Sequence, residues 1–118
     1  MKILAIEDNL ILGKSYQQLF QIEGYPVTLA NTLEAAKQLY EQEHFPIILS
    51  DVMFNSHWTV DQNIAYACEY WKYFKKHGST VIVISGLGHI QQAVEAYGVH
   101  FIVKPMKSED VLNIIRNQ

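Results

Sequence analysis

Five short runs of β-branched and aliphatic residues alternate with segments whose apolar residues recur at helical spacing, and turn residues mark the changeovers. The runs are "KILAI" (2–6), "PVTLA" (26–30), "PIILS" (46–50), "TVIVIS" (80–85) and "HFIVK" (100–104). Between them, Leu12, Tyr16, Leu19 and Phe20 fall on one helical face, as do Leu33, Ala36, Leu39 and Tyr40. Ile64, Cys68, Trp71 and Phe74 repeat the pattern, followed by Ile90, Ala93, Val94 and Tyr97, and then by Val111, Leu112 and Ile115 in a fifth helix running to Gln118. Gly24, Gly78 and Gly98 stand where C-terminal caps belong, and Asn31 with Glu34 three residues later reads as a capping pair.

Strands apolar on both faces suit a parallel sheet covered by helices on both sides, and right-handed crossovers then join successive strands. The expected architecture is a doubly wound α/β sandwich of five β-α units. Its 118 residues, 49% hydrophobic, are enough for one core, so a single domain over residues 1–118 is expected. The least regular stretch is "FNSHWTVDQ" (54–62), read as a polar loop.

The charges exclude some functions. A formal net charge of -3, with both signs scattered, leaves no basic stripe for nucleic acid, so no direct DNA contact is expected. The apolar runs fall far short of the roughly 20 residues that cross a bilayer, and neither a membrane anchor nor a targeting segment is expected. Cys68 has no partner for a disulfide and sits among helix-face apolar residues. It reads as a small buried hydrophobe in a reducing, cytoplasmic setting.

In open α/β sheets, functional residues gather at the carboxyl ends of the strands, near the point where strand order reverses. Here the first strand ends in Glu7-Asp8, the third in Asp51, the fourth in Ser85-Gly86 and the fifth in Lys104-Pro105. Close carboxylates repel by about 4 kcal/mol per pair at about 4 Å in an effective dielectric near 20. A divalent hard cation removes that cost. Mg²⁺ takes oxygen ligands and keeps several waters, which makes Asp8, Asp51 and the Met53 carbonyl the candidate direct ligands, with Glu7 acting through water. A metal beside a carboxylate also orients a phosphoryl donor, and Asp51 could then act as a nucleophile forming an acyl phosphate. Lys104 would pair with one phosphoryl oxygen and the Ser85 hydroxyl would hydrogen-bond another.

With Glu7-Asp8, Asp51, Ser85-Gly86, Phe101 and Lys104-Pro105 in order at the strand ends, the chain resembles the receiver domain of two-component response regulators, of the chemotaxis-regulator kind, over essentially its full length. The resemblance implies a flavodoxin-like fold with strand order 2-1-3-4-5. It implies a signalling module rather than an enzyme: Asp51 accepts phosphate from a sensor histidine kinase or a histidine phosphotransfer protein, with Mg²⁺ required. Pro105 would follow a cis peptide that aims Lys104 inward. Ser85 would move toward the phosphoryl group and Phe101 would turn inward behind it. This switch would be expressed on the face of the fourth helix, fifth strand and fifth helix, toward a downstream protein target or a second copy in a homodimer.

The sequence departs from the resemblance beyond Asp51. Asn55 stands where such domains carry a proline, a glycine further on is missing, and the stretch from Asp51 to Ser85 is a few residues longer. A remodelled loop or third helix is expected there. Trp58 in that loop reads as an anchor, and His57 and His89 as exposed loop residues. Met53 and Leu87, two residues beyond Asp51 and Ser85, are candidates for controlling water access. Two other readings compete: a degenerate receiver that binds proteins without phosphotransfer, and a flavin-phosphate carrier, which the acids and the glycine-poor "EDNLILGKS" oppose. If the chain ends naturally at Gln118, output must pass through a partner.

Overall fold

Alternation along the central strands divides the apolar residues between two cores. Leu4, Ile6, Ile48, Val81 and Val83 pack with Ala36, Trp71, Phe74 and Val94 on one side of the sheet. On the other, Ile3, Ala5, Ile47, Leu49, Ile82 and Ile84 pack with Tyr16, Phe20 and Val111. Each side chain enters a core because successive strand residues point to opposite faces.

The computed structural model describes residues 1–117, so the reach of the last helix to Gln118 lies outside the described residues. Strands β1 (Ile3–Ile6), β2 (Val27–Ala30), β3 (Ile47–Ser50), β4 (Thr80–Ser85) and β5 (His100–Val103) form one sheet in the order β2-β1-β3-β4-β5. All four neighbouring pairs are parallel. Helices α1 (Leu10–Ile22), α2 (Leu33–Gln42), α3 (Val60–Lys76), α4 (Gln91–Glu95) and α5 (Ser108–Arg116) follow the strands in turn. This is the flavodoxin-like α/β sandwich expected from the alternation and the resemblance, with α1 and α5 on one face and α2, α3 and α4 on the other.

Several local expectations need correction. Only β1, β3 and nearly all of β4 are buried on both sides; three of the four β2 residues are half-buried, and β5 buries only Ile102. Edge strands have one neighbour and partial helix cover, which the composition of a single run does not reveal. Leu19 and Ala93 are exposed despite their helical spacing. In the second case a 3-10 turn at Gly88–Ile90 precedes an α4 of only five residues, so the 100° periodicity does not persist.

Capping also differs. Thr32, not Asn31, caps α2 by accepting from the Ala35 N–H, while the Glu34 carboxylate receives the Tyr66 hydroxyl. The loop is shorter than 54–62, because α3 begins at Val60 behind a capping box in which Thr59 and Gln62 bond each other's backbone N–H. Gly24, Gly78 and Gly98 do have positive φ at the ends of α1, α3 and α4. At Gly98 a β-carbon would also meet the Lys75 ammonium.

Candidate functional site

The ladder continues one residue past β1 and β3. Ile6 pairs with Ala30 on one side and Ser50 on the other. Beyond these pairs the Glu7 N–H donates to the Ala30 carbonyl at 2.9 Å and the Asp51 N–H to the Ile6 carbonyl at 3.1 Å. Two carboxylates far apart in sequence are thereby fixed side by side at the carboxyl edge. Asp8 joins them: one oxygen from each of Glu7, Asp8 and Asp51 lies within 4.8 Å of the others.

Burial grades the three acids. Glu7 is buried, Asp51 half-buried and Asp8 exposed. Glu7 Oε2 accepts from the Asn9 N–H at 3.1 Å, and Lys104 Nζ lies 3.3 Å from Glu7 Oε1 and 3.7 Å from Asp51 Oδ2. Even so, burial and then the Asp51 charge push the Glu7 carboxyl up to about 7, against the opposing pull of the Asn9 N–H and Lys104. One ammonium does not offset this concentration of negative charge. The donor set is all carboxylate oxygen, which fits a hard divalent cation such as Mg²⁺.

Lys104 reaches the acids because β5 is extended by the same device: its N–H donates to the Ser85 carbonyl at 2.8 Å. The bond to Pro105 that follows is cis, as the resemblance implies. Ser85 is buried at the end of β4, where its Oγ accepts the Leu87 N–H at 3.0 Å. It therefore closes a local turn, and among the described residues no hydrogen bond joins it to Asp51. Phe101 is half-buried opposite Val83, packed against the core on the α2–α3–α4 side. Leu87 packs against the same core, and His57 and His89 are exposed.

Sequence reading missed two supports of Asp51. The buried Trp71 indole donates to Ser50 Oγ at 3.0 Å, and that hydroxyl donates to the Asp51 carbonyl at 2.8 Å. Trp71 was legible only as a core residue. The second support is Asn63, fully inside the protein on the first turn of α3, whose amide bonds four backbone groups of the loop after Asp51. A polar residue on a predicted helix, facing the core, was its only sequence signal. Trp58 is anchored edge-on against Tyr66, with ring centroids 5.4 Å apart, and keeps 39% of its surface exposed.

Comparison with known proteins shows the family of the chain. Residues 3–116 match the family described as the response regulator receiver domain. The chain belongs to that family, the receiver domains of two-component response regulators.

Among similar proteins, a probable transcriptional regulator, ycf29, of Pyropia yezoensis is 24% identical over 98% of this chain and 52% of its own length. The chain thus spans about half the length of that curated relative. The chemotaxis protein CheY4 of Vibrio cholerae superposes with a TM-score of 0.76 at 19% identity, covering 98% of this chain and 96% of that one. The response regulator TrrA of Thermotoga maritima, solved in complex with Mg²⁺-BeF, gives a TM-score of 0.75 at 14% identity over 98% and 96% of the two chains. At these identities the superpositions speak for the fold alone. Receiver domains bind Mg²⁺ at an acidic pocket and interact with histidine kinases and downstream effectors. Among the described residues no helix is long and apolar enough to cross a membrane.

Proposed function

We propose that this chain is a working phosphoacceptor in a two-component phosphorelay, a single receiver unit over residues 1–118 acting in the cytoplasm. The observation that carries the reading is the meeting of Glu7, Asp8 and Asp51 within 4.8 Å, with the Lys104 ammonium 3.7 Å from Asp51.

Asp51 is the nucleophile. Its carboxylate oxygen attacks the phosphorus of a partner's phosphohistidine, on a sensor kinase or a histidine phosphotransfer protein. The new O–P bond forms as the N–P bond breaks, and the departing imidazole keeps the electron pair. Asp8, Asp51 and the Met53 carbonyl would hold Mg²⁺ directly, with Glu7 bound through water; the ion supplies charge neutralisation for the phosphoryl oxygens. Lys104 trades its present carboxylate partners for a phosphoryl oxygen. The Ser85 hydroxyl gives up the Leu87 N–H and donates to another.

Withdrawal of Ser85 and Leu87 from their turn lets Phe101 move inward, and the α4–β5–α5 face changes with it. Val103, 45% exposed on that face, offers apolar surface to a downstream target or to a second copy. Moving such a switch from 1:99 to 99:1 takes about 5.5 kcal/mol of differential stabilisation. Met53 and Leu87 flank the acyl phosphate and limit the approach of hydrolytic water.

The test is intact-mass measurement after incubation with acetyl phosphate, with and without Mg²⁺. One phosphoryl adduct on the wild type, dependent on Mg²⁺ and lost in Asp51→Asn, is the expected result. Labelling of Asp51→Asn at the wild-type level would remove Asp51 as acceptor. No adduct on the wild type would leave the degenerate, phosphorylation-independent binding module as the better account.

A further inference from the structure

The loop between Asp51 and α3 has no regular structure of its own, yet it carries the Met53 carbonyl. Four of its backbone bonds converge on a single buried side chain. Asn63 Oδ1 accepts the N–H groups of Phe54 at 3.1 Å and Asn55 at 3.0 Å, and its Nδ2 donates to the carbonyls of Asn55 and Thr59, both at 2.9 Å. All the usual hydrogen-bonding capacity of one amide is spent on one loop. Asn63 is only 2% exposed, so water does not compete for these bonds.

The connection to the acids is short. Asp51 Oδ1 accepts the Val52 N–H at 2.7 Å, and the Val52 carbonyl accepts the Phe54 N–H at 3.1 Å, closing a tight turn with Met53 at its centre. That Phe54 N–H is the one Asn63 also binds. Met53 is thus held between Asp51 on one side and the buried amide on the other. The Asn63 N–H donates in turn to the Thr59 carbonyl at 3.0 Å, which ties the clamp to the capped start of α3.

We infer that Asn63 is the positioning residue of the site, holding the 52–59 loop so that the Met53 carbonyl completes the cation's ligand set. It acts through the loop and touches neither cation nor phosphoryl group. The inference rests on the proposed metal role of the acids, and it adds a requirement those acids do not impose: a receiver with intact Glu7, Asp8, Asp51 and Lys104 fails to bind Mg²⁺ well if the amide is removed. Outer-shell groups that orient a ligand are worth about ten- to a hundredfold in metal affinity.

The decisive comparison is Asn63→Ala against Cys68→Ala. Cys68 is buried on the same helix but bonds its own helix at the Ala65 carbonyl, away from the loop. Both variants are titrated with Mg²⁺ alone, following the combined fluorescence of Trp58 and Trp71, at a temperature where urea unfolding shows them fully folded. Amide hydrogen exchange of Phe54 and Asn55 is measured in parallel on the metal-free proteins. We expect Asn63→Ala to lose at least about tenfold in Mg²⁺ affinity and its Phe54 and Asn55 protection, with Cys68→Ala within about twofold of wild type. Equal affinities in the two variants overturn the inference, because a merely structural asparagine would behave like the cysteine. A wild type that binds no Mg²⁺ overturns the metal reading above. The exchange rates separate the two failures: protection lost only in Asn63→Ala upholds the loop clamp while the metal reading falls.

Discussion

The ammonium of Lys104 stands 3.7 Å from Oδ2 of Asp51, reached across the sheet from the end of β5. The same nitrogen lies 3.3 Å from Glu7, so one partly exposed cation serves two carboxylates. Replacing it with Met keeps the aliphatic stem and removes the charge. Lys104→Met is expected to slow phosphoryl uptake from acetyl phosphate by at least about tenfold, since the cation would stabilise charge developing on the transferring group. It should also raise the Glu7 carboxyl above its present position. Carboxyl chemical shifts followed through a pH titration check the second effect, and time-resolved intact mass checks the first.

Glu7 makes the metal-free protein respond to pH. Its folded-state carboxyl titrates at about 7, above the ordinary 4.5, because burial and Asp51 disfavour the charged form. Between these values the folded protein holds more protons than the unfolded chain, so this group's contribution to stability is present below the unfolded value and falls as pH rises toward 7. Cation binding has the opposite trend, since it favours the carboxylate and displaces the proton. Mg²⁺ affinity should therefore rise between about pH 5 and 7, while the stability contribution from Glu7 declines in Mg²⁺-free buffer. Urea unfolding and Mg²⁺ titrations at matched pH values test both slopes, and in Glu7→Gln the stability trend assigned to this group should be absent.

Trp71 supports the acceptor from beneath. Trp71→Phe removes the indole N–H bonded to Ser50 Oγ and part of a fully buried ring. The expected cost is about 1–3 kcal/mol, combining the lost hydrogen bond with the small cavity left behind. Denaturant unfolding with an unchanged m-value measures it. Phosphoryl uptake should be slowed as well, because the Ser50 hydroxyl that donates to the Asp51 carbonyl loses its own fixed partner.

Tyr16 is the converse case. Its hydroxyl is buried with no hydrogen-bond partner among the described residues, and burial together with the Glu7 and Asp51 charges pushes the phenol up. Removing the oxygen removes an uncompensated desolvation cost. Tyr16→Phe should stabilise the protein by about 1 kcal/mol, read as a higher denaturant midpoint, and leave the Asp51 adduct in place.

The architecture and the acids were legible in the chain because both depend on local pattern. β-branched runs, helical spacing and a carboxylate or lysine at each strand end state which residues reach the rim, and Glu7, Asp8, Asp51 and Lys104 do meet there. Less local facts were misread. The α2 cap is Thr32 and not Asn31, because the helix starts at Leu33, and the Glu34 carboxylate receives the Tyr66 hydroxyl from α3, a partner 32 residues away. Trp58 could be placed in the loop from sequence, but not against Tyr66.

By itself the sequence determined the order of elements and the identity of the charged rim, since these follow from side-chain periodicity along one segment at a time. Only the tertiary structure decided how burial is shared among the three acids, and that Asn63 and Trp71 hold the acceptor and its loop. Those outcomes depend on which backbone donors and acceptors remain unsatisfied after the sheet and helices have packed. A lone asparagine or tryptophan in a string of letters carries no trace of the distant carbonyls and hydroxyls it will meet.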